Sequence, residues 1–222
     1  MVVKLQGGLG NQMFQVAYGV TQAFRRGEAV YFDRSGIVPP RTYALDPFKL
    51  PIEFKDNSPD AEVGYWQGER WFDPGLIRPL FSEPHAKKPY GNGVAVHVRL
   101  TDNLSERALA FHGNLLDTDY YDRAMKLISQ RVADPVFLVF SDDPDWCARN
   151  LTWPRRSIIW GNPAHVDLWE MARCPYAIIA NSSFSWWGAW LGPQKLVIAP
   201  KRWFVVPVPG EEDIVPERWV RI

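Results

Sequence analysis

A run of amide and hydroxyl side chains leads directly into tryptophans over residues 181–191, which read NSSFSWWGAWL. Asn181 and three serines fall where a predicted strand ends and a predicted helix begins. Free N–H groups at such a helix end attract anions, and the hydroxyl groups add further donors. Capping would explain one serine, but not three serines and an asparagine. The segment therefore predicts a pyrophosphate site, and its tryptophans are expected to provide tight packing between helix and sheet.

Polar residues also lie at the end of a second predicted strand, within residues 97–102, HVRLTD. Strand alternation places His97 and Arg99 on the same face, where a buried strand seldom carries polar side chains. Arg99 could clamp a phosphate through two parallel hydrogen bonds, and His97 could read a base or hold an oxygen. A structural His–Asp pair is the alternative interpretation.

A third cluster, GGLGNQ at residues 7–12, lies between a predicted strand and a predicted helix. Glycines allow a tight turn and close backbone approach, and the helix N-terminus beyond them offers N–H groups to a phosphate. The pattern lacks the third glycine of a dinucleotide fingerprint, so a dehydrogenase with Asp33 as its acidic residue is disfavoured. A plain turn with Asn11 as the helix cap is the alternative.

Asp143-Pro144-Asp145 has the D-x-D spacing that holds a divalent metal in some glycosyltransferases. The same residues suit a helix N-terminus, with an acidic cap followed by proline, and capping is the preferred interpretation. The four histidines show no ligand spacing. We therefore expect no metal site.

Short apolar runs that alternate with helical periodicity position these clusters and predict parallel sheets covered on both faces. Ligands bind such sheets at the carboxyl ends of the strands, where the polar clusters fall. Proline- and glycine-rich residues 33–92 predict loops, short helices and one strand. The expected halves are residues 1–90 and 91–222. The predicted strands are 2–5, 29–32, 94–98, 136–140, 157–160, 176–180 and 196–199, and the predicted helices begin at 11, 119, 143, 164 and 183.

The composition excludes several classes of protein. The chain has 222 residues, with 25 basic and 25 acidic side chains, so no overall field attracts nucleic acid or an anionic membrane. Two cysteines are too few for a disulfide framework, and neither a signal peptide nor a membrane-spanning segment is expected. A cytoplasmic location is therefore expected.

Taken together, the motifs resemble glycosyltransferase family 11, the α-1,2-fucosyltransferases of bacteria, over nearly the whole chain. The serine and tryptophan segment and the glycine turn are the most specific of them. The motifs that carry the resemblance are GGLGNQMFQ at 7–15, YWQ at 65–67, HVR at 97–99, HG at 112–113, YY at 120–121, FSDD at 140–143, IANSSFSWWGAWL at 179–191, VIAPK at 197–201 and WF at 203–204.

The resemblance implies an α/β, GT-B-like fold of two Rossmann-like halves with parallel sheets that face each other across a cleft. It implies an inverting fucosyltransferase that moves fucose from GDP-fucose to a saccharide hydroxyl, as in α-1,2 transfer to a galactoside, without metal or cofactor. The donor would lie in the C-terminal half and the acceptor on the N-terminal side. Other GDP-sugars or linkages, and a non-catalytic GDP- or glycan-binding relic, are the alternatives.

The resemblance also implies roles for individual residues. Arg99 would contact the β-phosphate of the donor and stabilise the departing GDP. His97 and Asp167 would read the guanine. The remaining donor contacts would come from the glycine turn of the first half and the serine turn of the second: Gly8, Gly10, Asn11, Ser183, Phe184 and Ser185.

Two departures from the family pattern affect these expectations. Leu100 stands where the family has a second arginine, which would remove one cation near the leaving group. Nearby residues also resemble α-1,6-fucosyltransferases, so that Asp102 and Glu106 are both candidate bases for the acceptor hydroxyl. The chain is shorter than typical members, mainly in its first half.

Overall fold

A computed structural model of the chain describes residues 1–84, 87–100, 106–193 and 195–222, with the backbone alone at 107 and 108. The chain divides into two compact units, Met1–Pro84 and His85–Ile222. The sequence had placed this boundary between residues 90 and 91. Within the described residues, no helix is long and apolar enough to cross a membrane.

The first unit is a small parallel sheet with one long helix. Strands β1 (Val2–Lys4), β2 (Tyr31–Asp33) and β3 (Glu53–Phe54) pair in that order. Helix α1 (Leu9–Arg26) buries an apolar face that includes Met13, Phe14 and Ala17, and ends at the left-handed Gly27 (φ 66°). Helix α2 (Pro74–Phe81) follows the irregular segment. Three short 3-10 turns, Arg34–Gly36, Asp46–Phe48 and Glu69–Trp71, lie between β2 and α2.

The second unit is a six-stranded sheet in which all neighbouring strands are parallel. The strand order is β6-β5-β4-β7-β8-β9. Its strands are β4 (Gly93–Val98), β5 (Val136–Ser141), β6 (Arg156–Ile158), β7 (Tyr176–Ile178), β8 (Leu196–Ala199) and β9 (Val220–Arg221). Its helices are α3 (Glu106–His112), α4 (Tyr120–Ser129), α5 (Pro144–Asn150), α6 (Ala164–Ala172) and α7 (Ser183–Leu191), with 3-10 turns at Leu115–Asp117 and Glu211–Asp213.

Two layers of side chains cover the central strand β4. Val94, Val96 and Val98 belong to a core cluster that also contains Tyr120 and Ile128 of α4. The intervening residues point to the other face, because successive side chains of a strand alternate. There the ring of His97 lies 5.5 Å from that of Phe184 in α7. One face of β4 thus packs into the core cluster, and the other carries His97 beside the start of α7.

The structure confirms the α/β class with parallel sheets and the bounds expected for α7 and β8. It corrects three details. Helix α3 and strand β9 were not predicted. Helix α1 begins at Leu9 rather than at residue 11, so Gly8 is the N-cap and Asn11 lies inside the first turn. The capping role considered for Asn11 is therefore wrong.

Candidate functional site

Arg99 and Ser182 meet where the two central strands of the second unit end. The chain builds outward from β4 to β6, then returns to the other side of β4 and builds outward again from β7 to β9. The carboxyl ends of β4 and β7 therefore flank a topological switch point, where open α/β sheets bind their ligands. There Arg99 Nη1 donates a hydrogen bond to Ser182 Oγ over 2.9 Å. This bond joins two segments that the sequence singled out separately.

Helix α4 fixes the ends of these strands through two adjacent tyrosines. The hydroxyl of Tyr120 donates to the carbonyls of Ile179 (2.6 Å) and Ile198 (3.1 Å), and that of Tyr121 donates to the carbonyl of His97 (2.8 Å). Both side chains are buried. Three neighbouring strands are thus held in register beside Arg99.

A small depression lies beside the Arg99 side chain. Its empty space is about 220 Å³, including space open to solvent. It is lined by Arg99, Gly113, Asn114, Leu115, Leu116, Tyr121, Ala180 and Asn181.

His97 is almost completely enclosed, with 6% of its surface exposed. Burial and the neighbouring Arg99 lower the pKa of its imidazole to about 3, although Asp142 acts in the opposite direction. The ring is therefore neutral at pH 7. Its Nδ1 atom has no hydrogen-bond partner among the described residues, so no His–Asp pair forms through this nitrogen within them. An unpaired buried nitrogen of this kind is open to a ligand.

The structure separates the roles of the neighbouring polar residues at the start of α7. Ser182 is the N-cap residue, and its hydroxyl is directed to Arg99 rather than to the helix. Ser183 and Phe184 lie partly exposed in the first turn, where N–H groups have no partner within the helix. Ser185 is fully buried, and its hydroxyl donates to the carbonyls of Ala180 (3.3 Å) and Ser182 (3.2 Å). The expectation that Ser185 faces the donor phosphate is corrected, because its hydroxyl serves the fold.

Asn181 is likewise structural, because its Nδ2 donates to the carbonyls of His112 (2.7 Å) and Trp203 (3.1 Å). The tryptophans after it are core residues, as expected. Trp186 is fully buried and donates its Nε1–H to the carbonyl of Ile214 (2.7 Å). Gly188 provides close contact with helix α6 rather than with the sheet, because an added Cβ atom would lie 2.9 Å from Met171 Cβ.

Asp167, the predicted guanine reader, lies half-buried in the first turn of α6. Burial raises the pKa of its carboxyl, while a hydrogen bond from Asn162 Nδ2 (3.0 Å) opposes this shift. Because α6 follows β6, Asp167 lies on the carboxyl side of the same sheet as Arg99. The position is compatible with the predicted role.

Of the two carboxylates considered as bases, the structure describes one. Glu106 is exposed at the first position of α3, and Asp102 lies outside the described residues. Leu100 is buried in the core cluster on the face opposite to His97 and Arg99, and its N–H donates to Asp142 Oδ1 (2.8 Å). The side chain at position 100 therefore points into the core, away from the Arg99 side of the strand.

The glycine turn forms a separate site within the first unit. Gly7 has a left-handed φ of 74°, and a Cβ atom there would lie 2.5 Å from Asn11 Nδ2. Asn11 Oδ1 accepts a hydrogen bond from Gln67 Nε2 (2.9 Å). A Cβ atom at Gly8 would lie 3.4 Å from Arg41 Nη1, so a guanidinium that the sequence did not single out stands beside the turn. Gly10 lies inside the first turn of α1. A cation and a helix N-terminus together favour an anion.

Asp33 is unavailable for the ribose contact that a dehydrogenase would need. Its carboxylate is fully buried and accepts hydrogen bonds from the N–H groups of Ser35 (2.8 Å), Asn57 (3.0 Å) and Ser58 (3.2 Å), with Lys4 Nζ 3.2 Å away. Burial alone would raise its pKa, but these hydrogen bonds hold the pKa well below the usual range. The residue organises the end of β2.

The D-x-D segment is a helix cap, as preferred from the sequence. Asp143 Oδ1 accepts from the N–H of Trp146 (2.8 Å), and Pro144 begins α5. Within the described part of the chain, no group of three or more His, Cys, Asp or Glu side chains could hold a metal ion.

Comparison with known proteins adds a family to this geometry. Residues 80–222 match the profile of glycosyl transferase family 11. An α-1,2-colitosyltransferase of Escherichia coli is 32% identical over 286 aligned positions, which cover 100% of this chain and 98% of that protein. The galactoside 2-α-L-fucosyltransferase Sec1 of Mus musculus is 31% identical over 140 residues, 58% of this chain and 38% of that protein.

A likeness among solved structures supports the fold. The crystal structure of fucosyltransferase NodZ from Bradyrhizobium superposes with a TM-score of 0.51 at 14% identity, covering 86% of this chain and 92% of that one. At this identity the likeness concerns the fold alone. It agrees with the α/β, GT-B-like class expected from the sequence.

Proposed function

Because this chain belongs to glycosyl transferase family 11 and is a glycosyltransferase, we propose that it moves fucose from GDP-fucose to a saccharide hydroxyl with inversion. The observation that carries the proposal is the Arg99–Ser182 hydrogen bond at the topological switch point. The donor diphosphate would bind there, and the guanine would contact His97 and Asp167.

The chemistry of the leaving group explains why this arrangement suits glycosyl transfer. As the bond between the anomeric carbon and the diphosphate breaks, negative charge develops on the β-phosphate oxygen. The Arg99 guanidinium can donate two parallel hydrogen bonds to that phosphate. The first N–H groups of α7 add a positive helix end at the same place. Fixed donors of this kind stabilise developing charge without reorganisation.

The proposed reaction needs neither metal nor cofactor, because Arg99 and the start of α7 supply the positive charge. The diphosphate contacts would come from the second unit. In the first unit, the turn with Gly8, Gly10 and Asn11 would bind an anion on its own account. Arg41, beside Gly8, would be a further cation at that turn.

The proposals for the donor sugar and the acceptor depend on what the relatives are named for. The mouse relative is named for transfer to galactosides, which supports an α-1,2 linkage to a galactoside here. The Escherichia coli relative is named for α-1,2 transfer of colitose, which makes a colitosyl donor on the same nucleotide the second candidate.

Isothermal calorimetry with GDP, GDP-fucose, GDP-mannose and UDP-galactose tests the donor site. We expect GDP and GDP-fucose to bind and UDP-galactose to bind far more weakly. Arg99→Ala should weaken GDP binding by roughly 2–4 kcal/mol, about 30- to 900-fold, if the phosphate contact is desolvated. Arg123→Ala is the matched control, since Arg123 forms an exposed pair with Asp119. Unchanged affinity in Arg99→Ala would place the phosphate elsewhere.

Turnover then separates an enzyme from a GDP-binding relic. Donor consumption is followed with and without galactosides, with GDP-fucose and a colitosyl donor compared at equal concentration. We expect acceptor-dependent release of GDP at the same rate with and without EDTA. GDP binding without any turnover would support the relic, and loss of turnover in EDTA would require a metal site.

A further inference from the structure

His112 combines partial burial with an unsatisfied ring nitrogen. It is the last residue of α3 and lies half-buried against two aromatic rings, with centroid distances of 4.9 Å to Phe111 and 5.5 Å to Phe204. Its Nδ1 atom is buried and has no hydrogen-bond partner among the described residues. Leaving a buried polar atom unpaired typically costs about 1–3 kcal/mol, so such an atom in a native site calls for an explanation.

The backbone of His112 is hydrogen-bonded to the turn at Asn181 and Ser182, which also contacts Arg99. The carbonyl of His112 accepts a hydrogen bond from Asn181 Nδ2 (2.7 Å), and the next residue, Ser182, holds Arg99. Gly113 lines the same depression as Arg99 and Asn181. The imidazole is therefore positioned next to the proposed diphosphate site by the framework of that site.

The protonation state of His112 suits a base. Burial and the positive charge of Arg99 both lower the pKa of the imidazole. At pH 7 the ring is therefore neutral, and one nitrogen carries a lone pair. Among the described residues, the charged group that acts on this pKa is Arg99, from the end of β4. The carboxylate of Glu211 accepts from the N–H groups of Trp203 (2.7 Å) and Phe204 (3.0 Å), in the segment whose Phe204 ring packs against His112.

Other side chains suit the task less well. His97 is enclosed, and its pKa of about 3 makes it a much weaker proton acceptor. Glu106 lies at the opposite end of α3. At about 100° and 1.5 Å per residue, six residues place it about 120° around the helix from His112 and about 9 Å along it, so the two side chains leave the helix on different faces.

We propose that His112 is the general base of the glycosyl transfer, an inference that rests on the function proposed above. The acceptor oxygen forms its bond to the anomeric carbon as the bond from that carbon to the diphosphate breaks. The electron pair of the broken bond leaves with GDP. The acceptor proton passes to the imidazole of His112, and the resulting imidazolium returns it to solvent. The partial exposure of His112 provides the path for that last step.

The test compares His112→Gln with His165→Gln, in which the same change is made at a histidine that packs on Trp169 of α6. We expect His112→Gln to lower kcat by about 10²- to 10⁴-fold, the usual contribution of a general base, with GDP affinity within about 3-fold of wild type. The wild-type kcat/KM should rise with pH through a pKa below 6.5 and then level off. That acidic limb should be absent from the residual rate of the variant.

His112→Ala, assayed with added imidazole, keeps the proposal testable if the glutamine variant folds poorly. Rescue of turnover by imidazole is expected, with tryptophan fluorescence as the check of folding. A His112→Gln enzyme that keeps its kcat or its acidic limb would overturn the assignment. A joint loss of kcat and GDP affinity would make His112 a phosphate contact instead. A wild-type protein that does not bind GDP would overturn the proposed function itself.

Discussion

At the scale of single residues, position along the chain did not reveal which serine meets the cation. The sequence placed Arg99 correctly at the end of a buried strand. Because buried strands seldom carry charged side chains, an arginine in that position indicates a ligand site. It favoured Ser183 and Ser185 over Ser182. At the transition from strand to helix the direction of each side chain depends on the backbone angles of the cap, which are φ −137° and ψ 126° at Ser182. No spacing rule supplies those angles.

Ser182 and Ser185 therefore offer a paired prediction. Ser182→Ala removes the hydroxyl that positions Arg99, and GDP affinity should fall by about 0.5–1.5 kcal/mol, roughly 2- to 13-fold, with little change in stability. Ser185→Ala should instead lower the free energy of unfolding by a similar amount and leave GDP affinity unchanged, because its hydroxyl contacts buried carbonyls. Calorimetry and urea unfolding of both variants measure the two effects. The opposite pattern would return the ligand contact to Ser185.

At the scale of elements, apolar patterns predicted the bounds of α7 and β8, but they did not predict the short elements α3 and β9. Helix α7 and strand β8 are bounded by sharp changes between polar and apolar residues, so their ends could be read from the sequence. Strand β9 has two residues and is defined by its pairing with β8. Helix α3 is likewise short, with seven residues. Tertiary partners rather than local propensity define such elements.

The contact between α6 and α7 is sensitive to one methyl group. In Gly188→Ala the new Cβ atom would meet Met171 Cβ at 2.9 Å and its Sδ and Cε at 3.1 Å, so the helices must move apart. We expect a loss of about 1–3 kcal/mol in the free energy of unfolding, measured by urea denaturation. Met171→Ala removes the Sδ and Cε contacts and should partly rescue Gly188→Ala in a double-mutant cycle. Strictly additive effects would show that the two side chains do not meet.

At the scale of the whole molecule, equal numbers of acidic and basic residues leave any attraction for an anion to local groups. The sequence anticipated this, together with two α/β units and parallel sheets. It did not anticipate the connection between remote segments through side chain to backbone hydrogen bonds, such as those of Tyr120 and Asn181. Those depend on three-dimensional proximity, which neither composition nor periodicity encodes.

Acid should weaken the first unit through Asp33. Its pKa is lower in the folded than in the unfolded chain, so its contribution is fully present above about pH 5 and is lost as pH falls towards the folded value. Asp33→Asn should therefore destabilise by about 1–3 kcal/mol at pH 7, and the difference should shrink below about pH 4. Unfolding followed by circular dichroism at several pH values measures this. Asp56→Asn, which alters a partly exposed pair with Arg34, is the control and should cost under about 1 kcal/mol. A difference that does not vary with pH would argue against this role of Asp33.

The two hydrogen bonds of Asn181 also bear on the order in which the protein is made. They join a residue to carbonyls 69 positions before it and 22 positions after it. During synthesis Arg99 and His112 emerge from the ribosome long before Trp203. A nascent chain therefore carries the site residues before Asn181 can form both of its hydrogen bonds. We therefore expect a ribosome-bound chain stalled with Trp203 just inside the mouth of the exit tunnel to lack GDP affinity, although every residue proposed to touch the diphosphate in the second unit has already emerged.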